Sequence, residues 1–300
     1  MIVRLRDTSS SEILSALHEA RRSLGTVSGL VFTLLISTDE AHYDATFDSI
    51  LEAAQEHPSR ILMVILDRNQ TEPLNATVRT GEGYPGDVIS LRIGGELCDH
   101  TDSVVLPLLL PESPVVAWWP YDAPENLQET SLGRLAERRI ADSTTAENPV
   151  ADLLARSTHH TRGNSDLAWT KLTLWRALLA ASLDQFPHQV TSAQVETETD
   201  NASAELLAAW LQLCFNVEVT IKESDGPGIT TAVLNTDAGP ITIHRADGLS
   251  CDYLIPNQPP RSVAMKRRDI KDMIAEELRH MDDDPIYTEV VRVLLQRASQ

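Results

Sequence analysis

Side chains capable of acid–base chemistry stand at the ends of several predicted strands. Asp67 ends the apolar run that begins at Arg60, Asp142 lies near the end of the short run 139–143, and Ser37 ends the run 29–37. Two carboxylates brought together can serve as general acid and general base, or hold a metal ion. A carboxylate in this position can instead cap the element that follows it. Both roles stay open for the two aspartates.

Other combinations of reactive residue types give only weak indications of a catalytic, metal or phosphate site. His159 and His160 lie in a polar stretch, and Cys98 and His100 are too close on a helix to face each other. The glycine-rich GEGYPG at 81–86 has no lysine after it and predicts a turn rather than a phosphate loop. The three cysteines are far apart, with no CxxC pair. We therefore expect no catalytic set, no metal site and no cofactor.

Two adjacent tryptophans, Trp118 and Trp119, end an apolar run and are followed by Pro120 and Tyr121. Successive side chains of a strand point to opposite faces, so at most one indole can serve one core face. The other needs a second layer, a ligand or a partner protein. The residues alone leave these three alternatives open.

The elements that position these residues alternate between helices and strands as far as residue 143. Continuous apolar strands separated by helices are typical of an α/β domain, here three-layered with a largely parallel sheet. Ligands of such sheets meet the carboxyl ends of the strands. This rule predicts a crevice formed by Ser37, Asp67, Trp119 and Asp142.

The polar stretch 144–164 separates this region from a second one. We predict an N-terminal α/β domain over residues 1–155 and a C-terminal α+β domain over residues 156–300. The second domain is expected to contain an antiparallel meander, because short strands alternate with the turns DGPG, DAGP and ADG.

The second region begins with a predicted helix over 166–185, capped by Ser165 or Asp166. Trp169 and Trp175 share an apolar face with Arg176. A buried guanidinium needs a carboxylate, a carbonyl or an aromatic ring. We expect these three residues to clamp the two domains together or to support a site.

The charge balance excludes some partner classes. With 25 basic and 44 acidic residues, the chain carries a net charge of −19. Such a field repels nucleic acid and anionic lipid surfaces. No apolar run is long enough to span a membrane, and the first residues lack the apolar core of a signal peptide. Together with the cysteine spacing, this indicates a cytoplasmic protein without nucleic-acid or membrane partners.

Five segments carry a resemblance to a known family: EHPSRI at 56–61, GELCDHTDSVVLPLLLPESPVVAWWP at 95–120, LGRLAERRIADS at 132–143, DLAWTKLTLWRALLAASLDQ at 166–185 and EELRHMDDDPIY near the C-terminus. In order and spacing they resemble the OpcA family, the glucose-6-phosphate dehydrogenase assembly proteins, in its actinobacterial branch. Ser59 stands where many relatives have a cysteine, which weakens any idea of thiol control there. Leu174 stands where a proline is common.

The resemblance implies a non-catalytic protein that binds glucose-6-phosphate dehydrogenase, promotes its oligomeric assembly and raises its activity allosterically. The pathway is the oxidative pentose phosphate route, which supplies NADPH. Since tryptophan is enriched at binding hot spots, we expect Trp118, Trp119, Pro120 and Tyr121 at or directly behind the enzyme-binding surface. The alternative places both indoles under the second domain.

Two other functions stay open at this point. The chain can be an α/β enzyme that acts on a sugar phosphate at the crevice of Ser37, Asp67 and Asp142. It can also be a module that senses a metabolite in the same crevice.

Overall fold

A computed structural model describes residues 1–24, 29–81, 83–245 and 247–299. The chain divides into two compact units, each built from several segments. Unit 1 comprises Met1–Ala141, Gly163–Ser165 and Ile270–Asp283, and unit 2 comprises Asp142–Arg162, Asp166–Asp269 and Asp284–Gln300. The predicted domain boundary between residues 155 and 156 stays a prediction.

The described residues form nine α-helices and fourteen strands, numbered in chain order. The helices are α1 (Ser10–Leu24), α2 (Tyr43–Ala53), α3 (Thr101–Val105), α4 (Pro149–Thr158), α5 (Leu167–Thr170), α6 (Thr173–Gln185), α7 (Ala202–Phe215), α8 (Ile270–Arg279) and α9 (Pro285–Ala298). The strands are β1 (Ile2–Leu5), β2 (Thr33–Thr38), β3 (Arg60–Asp67), β4 (Leu74–Arg79), β5 (Asp87–Gly94), β6 (Val115–Trp119), β7 (Arg138–Ala141), β8 (Asn164–Asp166), β9 (Val190–Thr197), β10 (Val219–Glu223), β11 (Ile229–Thr236), β12 (Gly239–His244), β13 (Ser250–Leu254) and β14 (Arg261–Ala264). Among the described helices, none combines the length and the apolar composition needed to cross a bilayer.

The sheet of unit 1 has the strand order β1-β4-β5-β3-β2-β6-β7-β8. The pairs β5–β3, β3–β2, β2–β6 and β6–β7 are parallel, whereas β1–β4 and β4–β5 are antiparallel. Strand β3 buries every side chain from Ile61 to Ile65, as a strand covered on both faces must. These pairings confirm the predicted α/β class with a largely parallel sheet.

Helices cover both faces of this sheet. Ile89 and Leu91 of β5 belong to the same buried cluster as Ile13 of α1. Ser90 lies between them and points to the opposite face, where its hydroxyl meets the Tyr43 hydroxyl of α2 at 2.7 Å. Helices α1 and α2 therefore lie on opposite faces, which makes the three predicted layers.

The last helix of unit 1 comes from far along the chain. Helix α8 packs against α2 and buries Met273, Ile274 and Leu278. Its Glu277 forms a buried ion pair with Arg138 of β7. A segment near residue 277 thus completes a unit that otherwise consists almost entirely of the first 141 residues.

Unit 2 contains a six-stranded sheet of order β10-β9-β11-β12-β13-β14. Strands β9 and β10 pair in parallel, and the other neighbours are antiparallel. The run from β11 to β14 confirms the predicted meander. Helices α7 and α9 pack against each other, with Leu206, Leu207 and Val290 in one buried cluster. The predicted helix over 166–185 is divided into α5 and α6 at Lys171 and Leu172, and no residue type in the sequence marks that break.

Helix α9 begins after the N-cap residue Asp284, whose carboxylate also accepts a hydrogen bond from a tryptophan. Asp284 Oδ1 accepts the backbone N–H groups of Ile286 at 2.9 Å and Tyr287 at 3.1 Å, and Oδ2 accepts Trp169 Nε1 at 2.8 Å. One carboxylate thus satisfies two free amides at a helix start and one indole N–H.

Replacing this cap by alanine (Asp284→Ala) should lower the free energy of unfolding of unit 2 by about 2 kcal/mol, because three donors lose their acceptor. Urea denaturation followed by far-UV circular dichroism measures the change. The matched control is Asp184→Ala, an exposed aspartate of unit 2 whose carboxylate accepts no hydrogen bond within the described ranges. A loss for Asp284→Ala no larger than the control would contradict the capping role.

Candidate functional site

The carboxyl ends of β2, β3 and β6 lie side by side at one edge of the unit 1 sheet. The parallel register places Ile36 beside Trp118 and Ser37 beside Val64. The residues that follow these strands therefore meet at one edge, as expected for a parallel sheet. We call this edge, with Asp39, His42, Asp67 and Tyr121, the strand-end surface.

A stacked aromatic pair is the most ordered feature of the strand-end surface. The rings of His42 and Tyr121 are 3.9 Å apart between centroids and inclined by 20°. Asp39 fixes the imidazole, because His42 Nδ1 lies 2.8 Å from both of its carboxylate oxygens, and the His42 N–H donates to Oδ1 at 2.7 Å. Both rings are half-buried, so each keeps one part accessible to a partner.

The electrostatics at Asp39 favour its ionised form. Partial burial by itself would raise the pKa of this carboxyl, but the hydrogen bonds from His42 outweigh it and hold the pKa below its usual value. The strand-end surface therefore presents a fixed negative charge beside a stacked aromatic pair. Such a combination suits recognition of another protein, since aromatic rings bury a large area with little freedom to lose.

The two adjacent tryptophans are both buried. Trp119, 4% exposed, belongs to the cluster that contains Leu35 and Leu62, and Trp118, 1% exposed, points to the opposite face of β6. The second indole thus serves a second layer, which is one of the three alternatives that the sequence left open. Pro120 is buried as well, and Tyr121 is the first accessible residue of the four.

The polar residues predicted at the strand ends have local roles. Ser37 is half-buried in β2, and the exposed Asp67 accepts the Asn69 N–H at 2.9 Å. Asp142, 4% exposed and part of unit 2, accepts the Thr144 N–H at 3.1 Å and caps a short 3₁₀ turn. A shared chemical role for the two aspartates stays a prediction. Across the described residues, no group of histidine, cysteine and carboxylate side chains is arranged to hold a metal ion.

The residues predicted as a clamp all lie in unit 2. The Arg176 guanidinium carbon is 3.7 Å from the Trp169 ring centroid, so this arginine stacks on an aromatic ring. Trp175, 2% exposed, lies under the guanidinium of Arg245 at 5.1 Å. Whether these residues clamp the two domains stays a prediction.

The glycine-rich segment 81–86 joins the antiparallel strands β4 and β5, with Glu82 outside the described residues. A dinucleotide-binding loop of the G-x-G-x-x-G kind must lead from a strand into a helix. Here a strand follows, which confirms the predicted turn.

One feature of unit 2 escaped the sequence reasoning altogether. A cavity of about 360 Å³ opens beside α6 and α7, and five cationic side chains line it: Lys171, Arg245, Lys266, Arg267 and Arg268. Its signal in the sequence is the run MKRRD at 265–269, three consecutive basic residues in a strongly acidic chain.

Solved structures that align with this chain include three oxidoreductases. A 3-ketoreductase from Actinomadura kijaniata, in complex with TDP-benzene and NADP, shares 9% identity, with 90% of this chain and 96% of that chain covered and a TM-score of 0.50. An oxidoreductase from Sinorhizobium meliloti gives 10% identity, coverage of 90% and 88%, and a TM-score of 0.44. An NAD-binding oxidoreductase from Klebsiella pneumoniae gives 9% identity, coverage of 90% and 98%, and a TM-score of 0.44. At such identities the similarity to the ketoreductase concerns the fold only.

The family comparison is more specific. No curated protein matches the chain significantly. The profile described as the N-terminal domain of a glucose-6-phosphate dehydrogenase subunit matches residues 51–158, and the corresponding C-terminal domain profile matches residues 162–291. The two matches follow each other in order and cover most of the chain. The chain therefore belongs to the OpcA family of glucose-6-phosphate dehydrogenase subunits.

Proposed function

We propose that this chain is a non-catalytic assembly factor that binds glucose-6-phosphate dehydrogenase in the cytoplasm, promotes its oligomerisation and raises its activity allosterically. It would thereby increase NADPH supply by the oxidative pentose phosphate pathway. The observation that carries the proposal is the pair of family matches over residues 51–158 and 162–291. The local roles of Asp67 and Asp142 as turn caps also favour a binding protein over an enzyme.

We further propose that the strand-end surface contacts the dehydrogenase. The stack of His42 on Tyr121 supplies an accessible aromatic contact, and Asp39 holds it in place. Trp118 and Trp119 stiffen this contact from directly behind, because their burial leaves β6 little freedom to move. The crevice of Ser37, Asp67 and Asp142, as a site for a sugar phosphate, stays the alternative.

A dehydrogenase assay with and without this protein tests the function. The enzyme concentration is held constant, the glucose 6-phosphate concentration is varied, and mass photometry is run on the same mixtures. We expect higher activity together with a larger species. If activation acts through substrate affinity, substrate must tighten the complex by the same factor. Unchanged activity and unchanged size with the cognate enzyme would overturn the proposed function.

The double variant His42→Ala, Tyr121→Ala tests the surface. Loss of a central aromatic contact costs about 2 kcal/mol or more, so the dissociation constant of the complex should rise about 30-fold. The matched control is Tyr84→Ala, a half-buried tyrosine before β5, at the amino ends of the parallel strands and so at the opposite sheet edge. If the double variant folds and still activates the enzyme fully, the strand-end surface is not the contact, and the proposed assembly function is unaffected.

A further inference from the structure

The cavity of unit 2 combines charge and an apolar wall in a way that the assembly role does not explain. Its volume of about 360 Å³ is within the range of small-molecule pockets, about 300–1,000 Å³. The wall includes Leu172, Trp175, Ile229 and Met265, all of which are buried. The five cations face only two acidic residues of the lining, Glu198 and Asp200.

Arg245 is the central observation. This arginine is 8% exposed. One of its guanidinium nitrogens donates to the Ile229 carbonyl at 3.2 Å, and the guanidinium lies over the Trp175 ring. Its Nε has no hydrogen-bond partner, and no carboxylate of the described chain pairs with it. Burial lowers the pKa of Arg245, and the nearby charge of Arg267 lowers it further. A buried cation beside a like charge is costly unless an anion joins it.

Among the described residues, Lys171 and Arg267 of the lining also have no acidic partner, whereas Lys266 pairs with Asp269 at 3.3 Å. Arg267 donates to the Pro227 carbonyl, while its Nε has no partner in the part of the chain that the structure describes. The Lys171 ammonium donates to the Thr144 hydroxyl, and no described carboxylate lies within ion-pair distance of it. By contrast, the buried Arg60 of unit 1 pairs with Asp87.

The two acidic residues of the lining do not neutralise these cations. Glu198 accepts the side-chain amide of Asn201 at 3.3 Å, and Asp200 accepts the Val150 N–H at 3.0 Å. Within the described ranges neither forms an ion pair. In a chain of net charge −19, the cavity is therefore a local region of positive charge.

These observations select a class of ligand. Several convergent cations favour a group with more than one negative charge, and guanidinium forks match phosphate oxygens well. The apolar wall favours a carbon skeleton beside that group. The volume is small for a folded acidic segment. We propose that this cavity binds a small phosphorylated metabolite, with its phosphate among Lys171, Arg245 and Arg267 and its skeleton against Trp175.

Thermal unfolding and isothermal titration calorimetry of the full chain, without the dehydrogenase, test this site. The probes are a hexose monophosphate, a hexose bisphosphate, inorganic phosphate, the free hexose and a glutamate-rich peptide. At a hundredfold excess over the dissociation constant, a phosphorylated hexose should raise the melting temperature by about 5–10 °C. Added salt should weaken this binding, because the contact is electrostatic.

Single variants locate the binding. Lys171→Met and Arg267→Ala remove accessible cations, and each should weaken the binding of the phosphorylated hexose about tenfold or more. The matched control Lys222→Ala removes an exposed lysine of the same unit outside the cavity lining and should leave affinity unchanged. The proposal fails if no phosphorylated hexose binds, if the free hexose or the peptide binds equally well, or if the two variants bind like the wild type. Because the dehydrogenase is absent, any such failure leaves the proposed function untouched.

Discussion

Replacing Asp87 by alanine should lower the free energy of unfolding of unit 1 by about 3–5 kcal/mol. Asp87 is fully buried at the start of β5 and serves two arginines at once. Arg21 Nε donates to Oδ1 at 3.1 Å, and Arg60 donates to Oδ2 from Nε at 3.3 Å and from Nη2 at 3.2 Å. Without the carboxylate, the buried Arg60 and the partly exposed Arg21 both lose their counter-charge.

The burial of Arg60 makes this loss severe. Its side chain is 5% exposed, so water cannot replace the missing carboxylate. Burial lowers the pKa of Arg60, and the negative charge of Asp87 works against that shift. One nitrogen keeps its hydrogen bond to the Leu108 carbonyl at 2.9 Å, which does not supply a charge. The variant thus leaves a buried cation in place, the costliest way to break an ion pair.

Urea denaturation monitored by circular dichroism measures the effect. Asp67→Ala is the matched control, because this aspartate is exposed at the end of the neighbouring strand β3 and accepts only a local backbone N–H. The control should change the free energy of unfolding by less than about 0.5 kcal/mol. A loss below about 1 kcal/mol for Asp87→Ala would show that the two arginines find other partners.

Replacing Glu277 by alanine should have an effect of similar size. Glu277 on α8 pairs with Arg138 on β7, and the two side chains are 7% and 5% exposed. Arg138 also donates to the Asp282 carbonyl at 2.8 Å, while its Nε has no partner among the described residues. Removing the carboxylate leaves a buried guanidinium with one neutral acceptor, at a cost of about 3–5 kcal/mol.

The same helix provides the control for this prediction. Arg279 and Glu56 form an ion pair in which both side chains are 50% exposed, so Arg279→Ala should cost less than about 1 kcal/mol. Limited proteolysis adds a second measurement, since a weakened α8 should become a cleavage site before the rest of unit 1. Equal stability of the two variants would contradict a structural role for the buried pair.

The fold was largely predictable because its main strands are continuous apolar runs. Strand β3 is a clear case, with five consecutive buried residues from Ile61 to Ile65. The strands that the sequence reasoning missed are different in kind. Strand β1 has four residues, none of them fully buried, and β9 alternates buried and accessible positions among polar residues. Strand β1 is a short strand at the sheet edge, and its position depends on pairing with β4, which leaves little trace in composition.

The candidate site was predictable only in part. The rule for parallel sheets placed the end of β6 beside the ends of its neighbours at one sheet edge, but the stack of His42 on Tyr121 depends on the paths of two loops. Both adjacent tryptophans are buried because both faces of the sheet are covered at β6. The residues alone left open whether a second layer, a ligand or a partner protein covers the second indole. The cationic cavity joins Lys171, Arg245 and the run 265–269, which are far apart in the chain. Nothing in their local patterns predicts that they meet.

The discontinuous make-up of unit 1 has a consequence for the synthesis of the protein on the ribosome. Strand β7 ends at Ala141, but α8 ends at Arg279, so 138 residues must be added between them. At about 5–20 residues per second, that interval lasts about 7–28 seconds. Throughout it, Arg138 has no Glu277 to pair with, and the nascent sheet lacks its last helix. A chaperone that shields unfinished apolar surface would therefore have a defined period in which to act on this chain.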